Sequence, residues 1–134
     1  MARILVVDDE PGIRQILARV LQKAGHEVGS ASNGEDALRM LREKKYDLAI
    51  VDVVMPGKGG VETIIEMNEA YKDLKVIIVS GKVDVSSTTF QGLAGHFGVS
   101  RIVKKPYEPE TMLRAVYELL KEKQEPQKPG TSAS

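Results

Sequence analysis

The chain has 134 residues, enough for one domain with a hydrophobic core and too few for two domains of ordinary size. Its 19 basic residues balance its 19 acidic residues, so bulk charge attracts neither nucleic acid nor anionic lipid. The absence of cysteine excludes disulfides and thiolate metal sites, and no apolar run reaches the length of a membrane span. These properties predict a soluble, cytoplasmic protein with no direct nucleic-acid or membrane partner.

The first half of the chain alternates short apolar runs with segments of helical periodicity. The runs are rich in Val, Ile and Leu, a composition typical of strands buried on both faces of a parallel sheet. The predicted elements are a strand at 3–7, a helix from Pro11 to a left-handed cap at Gly25, a weak strand near 27–31, a helix at about 35–44 after a turn at Asn33-Gly34, and a strand at 47–52. The apolar side chains expected in the core are Ile13, Ile16, Leu17, Val20 and Leu21 in the first helix and Ala37, Leu38 and Leu41 in the second.

The second half continues the alternation, with one weak segment. The predicted elements are a helix from Val61 to about Tyr71, a strand at 75–79, a strand at about 100–104, and a helix from Pro109 to about Lys123 that buries Met112, Leu113, Val116, Leu119 and Leu120. Poor helix formers in residues 83–97 predict a short or distorted helix. Residues 124–134 predict a disordered tail or linker stub, leaving residues 1–123 as one domain.

Five alternations of strand and helix predict an α/β fold with a five-stranded, doubly wound parallel sheet and helices on both faces. In such sheets, ligands bind beyond the carboxyl ends of the strands, at the point where the strand order reverses. Residues that end or follow strands are therefore the candidates for chemistry.

Polar side chains stand at the carboxyl ends of four predicted strands. They are Asp8 and Asp9, Asp52, Ser80, and Lys105. Three carboxylates at one edge of a sheet are costly without a cation, and Mg²⁺ prefers oxygen ligands of this kind. A carboxylate next to such a cation can act as nucleophile towards phosphorus, with a lysine and a hydroxyl stabilising the transferred group. The pattern predicts a Mg²⁺-assisted phosphoryl acceptor on Asp52.

The ordered set of motifs resembles that of response-regulator receiver domains of two-component signalling, over roughly residues 2–122. The motifs are Asp8-Asp9 after the first strand, Asp52-x-x-Met-Pro-Gly, Ser80-Gly81 after the fourth strand, and Lys105-Pro106-Tyr107. The resemblance implies a flavodoxin-like fold with strand order 2-1-3-4-5, as in chemotaxis receivers.

The same resemblance implies a metal site and its ligands. Asp9, Asp52 and the backbone carbonyl of Val54 would bind Mg²⁺, and Asp8 would reach the metal through water. Asp52 would receive the phosphoryl group from a histidine kinase, a phosphotransfer protein or a small phosphodonor. The protein would catalyse its own phosphorylation and dephosphorylation without turning over external substrates.

For the remaining motif residues, the resemblance implies contacts with the phosphoryl group and a partner surface. Ser80 and Lys105 would bind phosphoryl oxygens, and the peptide before Pro106 is commonly cis in the family. The weak helix at 83–97, the fifth strand and the last helix would form the surface for a downstream effector or a homodimer. We expect the weak helix to be mobile and to order on phosphorylation or partner binding. An output domain would be a separate protein or would lie outside this chain.

Three positions depart from the commoner family pattern, and one of them is Lys82, which stands two residues after Ser80. Ile102 stands where the family usually has Tyr or Phe, which puts the usual aromatic switch in doubt. Val54 stands where rapidly dephosphorylating members often carry a polar side chain. Because Val54 cannot orient an attacking water, we expect a long-lived phosphoryl group.

Other interpretations of these residues stay open at this stage. Asp8 or Asp9 alone could cap a helix, Lys104 competes with Lys105, and His26 and His96 are expected at the surface without a metal role. An unphosphorylated pseudo-receiver scaffold remains an alternative function. An Asp-nucleophile phosphatase of the haloacid-dehalogenase type is disfavoured, because Val54 stands where its second acid is required. A flavin module is disfavoured because the acidic loop after the first strand would repel a phosphate.

Overall fold

Short apolar runs form the strands, and the segments of helical periodicity between them form helices. The computed structural model describes residues 2–53, 60–80 and 101–124. The strands are β1 (Arg3–Val7), β2 (Glu27–Ala31), β3 (Leu48–Asp52), β4 (Lys75–Ser80) and β5 (Arg101–Lys104). The helices, numbered within the described residues, are α1 (Pro11–Lys23), α2 (Gly34–Glu43), α3 (Gly60–Ala70) and α4 (Pro109–Gln124). These bounds agree with the predicted ones to within about two residues.

All five strands lie parallel in one sheet of order β2-β1-β3-β4-β5, as predicted. The chain moves outward from β1 to β2 and then returns to pair β3 on the other side of β1, so the strand order reverses between β1 and β3. The register pairs Val7 with Val51 and Asp52 with Val79. The carboxyl ends of β1 and β3 therefore lie next to each other, at the position where this fold binds ligands.

Two hydrophobic clusters cover the two faces of the sheet. Alternate residues of β1 belong to different clusters, because successive side chains of a strand point to opposite faces. Leu5 and Val7 pack with α2 and α3, whereas Ile4 and Val6 pack with α1 and α4. Helices on both faces bury the central strands completely, which accounts for their unbroken apolar sequences.

The signals at the helix ends act as the sequence predicts, with one refinement. Pro11 opens α1, and Gly25 follows that helix with a φ of +96°, a left-handed conformation that glycine adopts without strain. The predicted turn at Asn33 is a helix cap, because its side chain accepts a hydrogen bond of 2.8 Å from the backbone N–H of Asp36. This bond satisfies one of the free N–H groups at the start of α2.

Several side chains are less or more buried than predicted. Ile16 is 51% exposed, because Leu17 and Leu21 form the stripe facing the sheet and Ile16 lies about 100° around the helix from Leu17. Ile13 and Leu113 are half-buried against the core, and Val20 is half-buried too. His26, expected at the surface, is half-buried, and its Nδ1 accepts a hydrogen bond of 3.3 Å from the backbone N–H of Ala2.

Some predictions concern residues outside the described ranges. These are the weak helix at 83–97, the Val54 carbonyl, the position of His96 and the tail beyond Gln124. Across the parts of the chain that the structure describes, no helix is both long enough and apolar enough to span a bilayer.

Candidate functional site

Three carboxylates meet at the carboxyl ends of β1 and β3. Asp52 is the last residue of β3, and Asp8 and Asp9 directly follow β1. One carboxylate oxygen from each lies within 4.8 Å of the others. Asp8 and Asp52 are buried, with 3% and 5% of their surface exposed, whereas Asp9 is exposed. The structure thus brings together the three acidic residues that the sequence selects.

Lys105, just after β5, reaches across the sheet edge to these carboxylates. Its Nζ lies 2.8 Å from Oδ2 of Asp52 and 3.5 Å from Oδ2 of Asp8. The neighbouring Lys104 is exposed, which agrees with the choice of Lys105 from the sequence. The Lys105–Pro106 peptide bond is cis, as the resemblance implies.

Ser80 lies at the same edge of the sheet. It is the last residue of β4 and is fully buried, one residue beyond the strand length predicted from the sequence. Its backbone carbonyl accepts a hydrogen bond of 2.8 Å from the backbone N–H of Lys105. Because Val79 pairs with Asp52, Ser80 stands one residue beyond the nucleophile candidate on the neighbouring strand.

Besides the contact with Lys105, Asp8 makes hydrogen bonds with three other residues. Its N–H donates to the carbonyl of Ala31 at 3.1 Å, and its Oδ1 accepts from the N–H of Glu10 at 2.9 Å. Its own carbonyl accepts from Nη1 of Arg14 at 2.7 Å. Asp8 and Asp9 do not cap α1, because the residue at the cap position is Glu10.

The sequence analysis did not identify Arg14 as a residue that contacts the site. Arg14 is the fourth residue of α1, near the positive end of the helix dipole, where a basic side chain is disfavoured unless something else stabilises it. That unfavourable placement was the one sign in the sequence that Arg14 has a specific partner. It could not reveal that the side chain turns back towards β1.

Comparison with known proteins identifies the group to which this arrangement belongs. The family model described as the response regulator receiver domain matches residues 4–117. The chain belongs to this family. The match includes each acidic residue of the site together with Ser80 and Lys105.

Individual relatives agree with this assignment. Protein PilH of Pseudomonas aeruginosa is 34% identical over 122 residues, covering 90% of this chain and 98% of PilH. The transcriptional regulatory protein ResD of Bacillus subtilis is 32% identical over 119 residues, covering 89% of this chain but 48% of ResD, so the chain spans about half of that protein. The structure of response regulator protein TrrA from Thermotoga maritima, in complex with Mg²⁺–BeF, has a TM-score of 0.75 and 35% identity, covering 89% of this chain and 99% of TrrA.

In the receiver site, burial and neighbouring charges have opposite effects on the pKa values of Asp8 and Lys105. Burial raises the pKa of Asp8 above its usual 3.8, against the opposite effects of the Glu10 N–H and the Lys105 ammonium. Burial also disfavours the charge of Lys105, but its hydrogen bond to Asp52 and the charges of Asp52 and Asp8 raise its pKa overall. Burial, together with the charge of Asp8, raises the pKa of Tyr107 to about 12. Lys105 therefore stays protonated between the carboxylates.

The acidic residues also suit a Mg²⁺ ion. Ligand oxygens around six-coordinate Mg²⁺ lie about 3 to 4.2 Å apart, so small movements of carboxylates now within 4.8 Å of one another would bring them to that spacing. Three carboxylates against the one ammonium of Lys105 leave two negative charges, which a divalent ion would neutralise. The acidic triad could thus bind the metal.

Proposed function

We propose that this receiver domain is a phosphorylation-dependent signalling switch that accepts a phosphoryl group on Asp52 with the help of Mg²⁺. The observation that carries the proposal is the surroundings of Asp52. Its buried carboxylate lies at a strand end with one ammonium at 2.8 Å and two further carboxylates beside it. A carboxylate placed for structural reasons alone would be hydrogen-bonded without this excess of like charge.

Asp52 is the nucleophile in this proposal. One of its oxygens attacks the phosphorus atom of the donor, a new O–P bond forms, and the bond from phosphorus to the leaving group breaks with its electron pair going to that group. Receiver domains have histidine kinases as partners, so the physiological donor is a phosphohistidine on a kinase or on a phosphotransfer protein. The reaction requires positioning and charge stabilisation more than covalent assistance.

Asp9, Asp52 and the backbone carbonyl of Val54 would hold the metal, and Asp8 would reach it through water, as the family pattern implies. A Mg²⁺ ion held there would supply positive charge that neutralises the carboxylates and stabilises the charge developing on the phosphoryl oxygens. TrrA, solved with Mg²⁺–BeF, supports this assignment by similarity.

Lys105 links the chemistry to the output surface. In the proposed reaction, its ammonium leaves Asp52 for a phosphoryl oxygen, and the Ser80 hydroxyl binds another. Lys105 directly follows β5, and β5 is joined to α4 by the Arg101–Glu118 ion pair at 2.6 Å. A change in the position of Lys105 thus acts on the surface of β5 and α4, where we place the effector or dimer contact.

The test is intact-mass measurement after incubation with Mg²⁺ and acetyl phosphate. We expect one phosphoryl adduct on the wild-type protein and on Asp73→Asn, which removes an exposed carboxylate away from the site, and none on Asp52→Asn. Absence of an adduct from the wild type at any Mg²⁺ concentration would favour the pseudo-receiver scaffold. Continuous hydrolysis of added phosphate esters would favour the phosphatase.

A further inference from the structure

We propose that Arg14 is a positioning residue, which holds the loop after β1 so that Asp8 and Asp9 present their carboxylates to a divalent cation. The inference rests on the proposed function, because it concerns the same metal site. It assigns a role to a residue of α1, the helix that follows the loop.

The first support is the way Asp8 is fixed. The bond from Arg14 to the Asp8 carbonyl, 2.7 Å long, is the shortest of the hydrogen bonds to this residue, and a charged donor strengthens it. The other bonds come from neighbouring β2, from Glu10 within the loop, and from Lys105. Arg14 therefore supplies the one described link between Asp8 and the body of α1.

The second support is the exposure of Asp9. Asp9 follows Asp8 directly and lies at the surface, so its direction is set by the loop backbone more than by packing. A rotation of the Asp8–Asp9 peptide would move both carboxylates relative to Asp52. Fixing the Asp8 carbonyl restricts that rotation, which is how residues beyond the direct ligands usually support a metal site.

Because Arg14 is charged, the direction of the change in Mg²⁺ affinity on its removal tests the inference. A positive side chain close to the acidic triad repels a divalent cation, so removing it would strengthen Mg²⁺ binding if charge alone mattered. If Arg14 acts by positioning, its removal weakens Mg²⁺ binding. The two explanations predict opposite changes in the same measured constant.

The experiment is calorimetric titration of Mg²⁺ alone into the wild-type protein, Arg14→Met and Arg19→Met. Arg19 is an exposed residue of the same helix, so Arg19→Met removes the same charge and serves as the matched control. We expect Arg14→Met to weaken Mg²⁺ binding about tenfold, the lower end of the range for residues that support metal ligands. Arg19→Met should stay within about twofold of the wild type, and Arg14→Lys, which retains the charge and one donor, should fall between.

The outcomes separate this inference from the proposed function. Unchanged or tighter Mg²⁺ binding by Arg14→Met, with normal binding by the wild type, would overturn the positioning role and leave the phosphorylation switch intact. No Mg²⁺ binding by the wild type would overturn both. Thermal unfolding without Mg²⁺ checks that Arg14→Met is folded. Should it not fold, Arg14→Gln, which also lacks the charge, must show the same loss of affinity.

Discussion

The two ends of the sheet use charged residues in different ways. At the amino end, Arg3 joins three neighbouring segments: its N–H donates to Asp47 at 2.9 Å, its Nη1 donates to the Lys45 carbonyl at 2.8 Å, and its Nη2 pairs with Glu27 at 3.2 Å. At the carboxyl end, the single ammonium of Lys105 lies among three carboxylates. One end connects strands, and the other end concentrates charge of one sign.

The charged contacts at the amino end can be explained by their contribution to stability, whereas those at the carboxyl end cannot. Polar contacts at the amino end hold β1, β2 and the segment before β3 in place, so they contribute to the free energy of unfolding. Like charges crowded at the carboxyl end reduce that free energy, and neutral side chains of the same shape would fold better. Such an arrangement indicates a binding or catalytic site.

The largest difference between the two ends of the sheet is expected from Lys105→Met, which changes the site at the carboxyl end. The loss of a positive group beside the reacting oxygens should slow phosphoryl acceptance by about 10²-fold, the usual effect of removing one stabilising donor. The same change should strengthen Mg²⁺ binding several-fold, because it removes a cation next to the acidic triad. Intact-mass time courses with acetyl phosphate and Mg²⁺ titrations measure the two effects.

Lys104→Met is the matched control for this prediction. Lys104 is adjacent in sequence but exposed, so its removal should leave both the rate of phosphorylation and the Mg²⁺ affinity within about twofold, as for most surface charges. Equal effects of the two substitutions would mean that Lys105 acts only through the general charge of the surface. The carboxyl end would then not be a specific site that differs from the amino end.

Much of the fold and of the site can be predicted from this sequence because both depend on short-range patterns. Each buried run of four or five apolar residues predicts a strand, and parallel strands necessarily bring their ends to one edge. Asp8, Asp9, Asp52 and Ser80 were therefore identified by their positions at strand ends. Lys105 was chosen over Lys104 because it directly precedes Pro106, as the family motif requires.

What could not be predicted depends on how elements pack in space. Arg14 contacts the Asp8 carbonyl because α1 folds back beside β1, and no local pattern encodes that side-chain direction. Ile16 has the periodicity of a buried residue, but only a narrow stripe of α1 faces the sheet. His26 is half-buried and bonded to Ala2, a contact between residues 24 positions apart.

A smaller effect, away from the carboxyl end, is expected from Gly29→Ala in the middle of β2. The new Cβ would collide with the hydroxyl of Tyr46, a buried side chain packed over β2, and would also lie tightly against Met40. Such overpacking should lower the free energy of unfolding by about 1–3 kcal/mol. Urea denaturation measures the loss, and Mg²⁺ affinity should not change because the collision lies away from the acidic site.

Two further variants test the cause of that loss. Tyr46→Phe removes the colliding hydroxyl, so it should recover part of the stability of Gly29→Ala in the double variant. Gly12→Ala, where nothing lies within 4 Å of the added Cβ, should instead stabilise α1 by up to about 1 kcal/mol. If Gly29→Ala changed Mg²⁺ affinity as much as stability, the carboxyl end would be coupled to the middle of β2 and could not be contrasted as an independent region.

The smallest effect concerns the acid dependence of the amino end. Burial lowers the pKa of His26 below its usual 6.5, and the positive charge of the amino terminus adds to this lowering. The unfolded chain therefore binds a proton on His26 at a higher pH than the folded protein does. The contribution to stability is fully present above the unfolded pKa and is lost as the pH falls below it towards the lower folded pKa.

The variant His26→Asn tests this contribution, because its side-chain oxygen can accept the bond from the Ala2 N–H without titrating. Between about pH 7.5 and 5.5, which brackets the ordinary histidine pKa, the free energy of unfolding should fall more for the wild type than for the variant. Denaturation curves at each pH measure the difference. Effects of the carboxylates, including Asp8, are common to both proteins and cancel in the comparison. Parallel pH profiles would mean that His26 protonates equally well in the folded protein, and that its bond to Ala2 does not hold the amino end of the sheet.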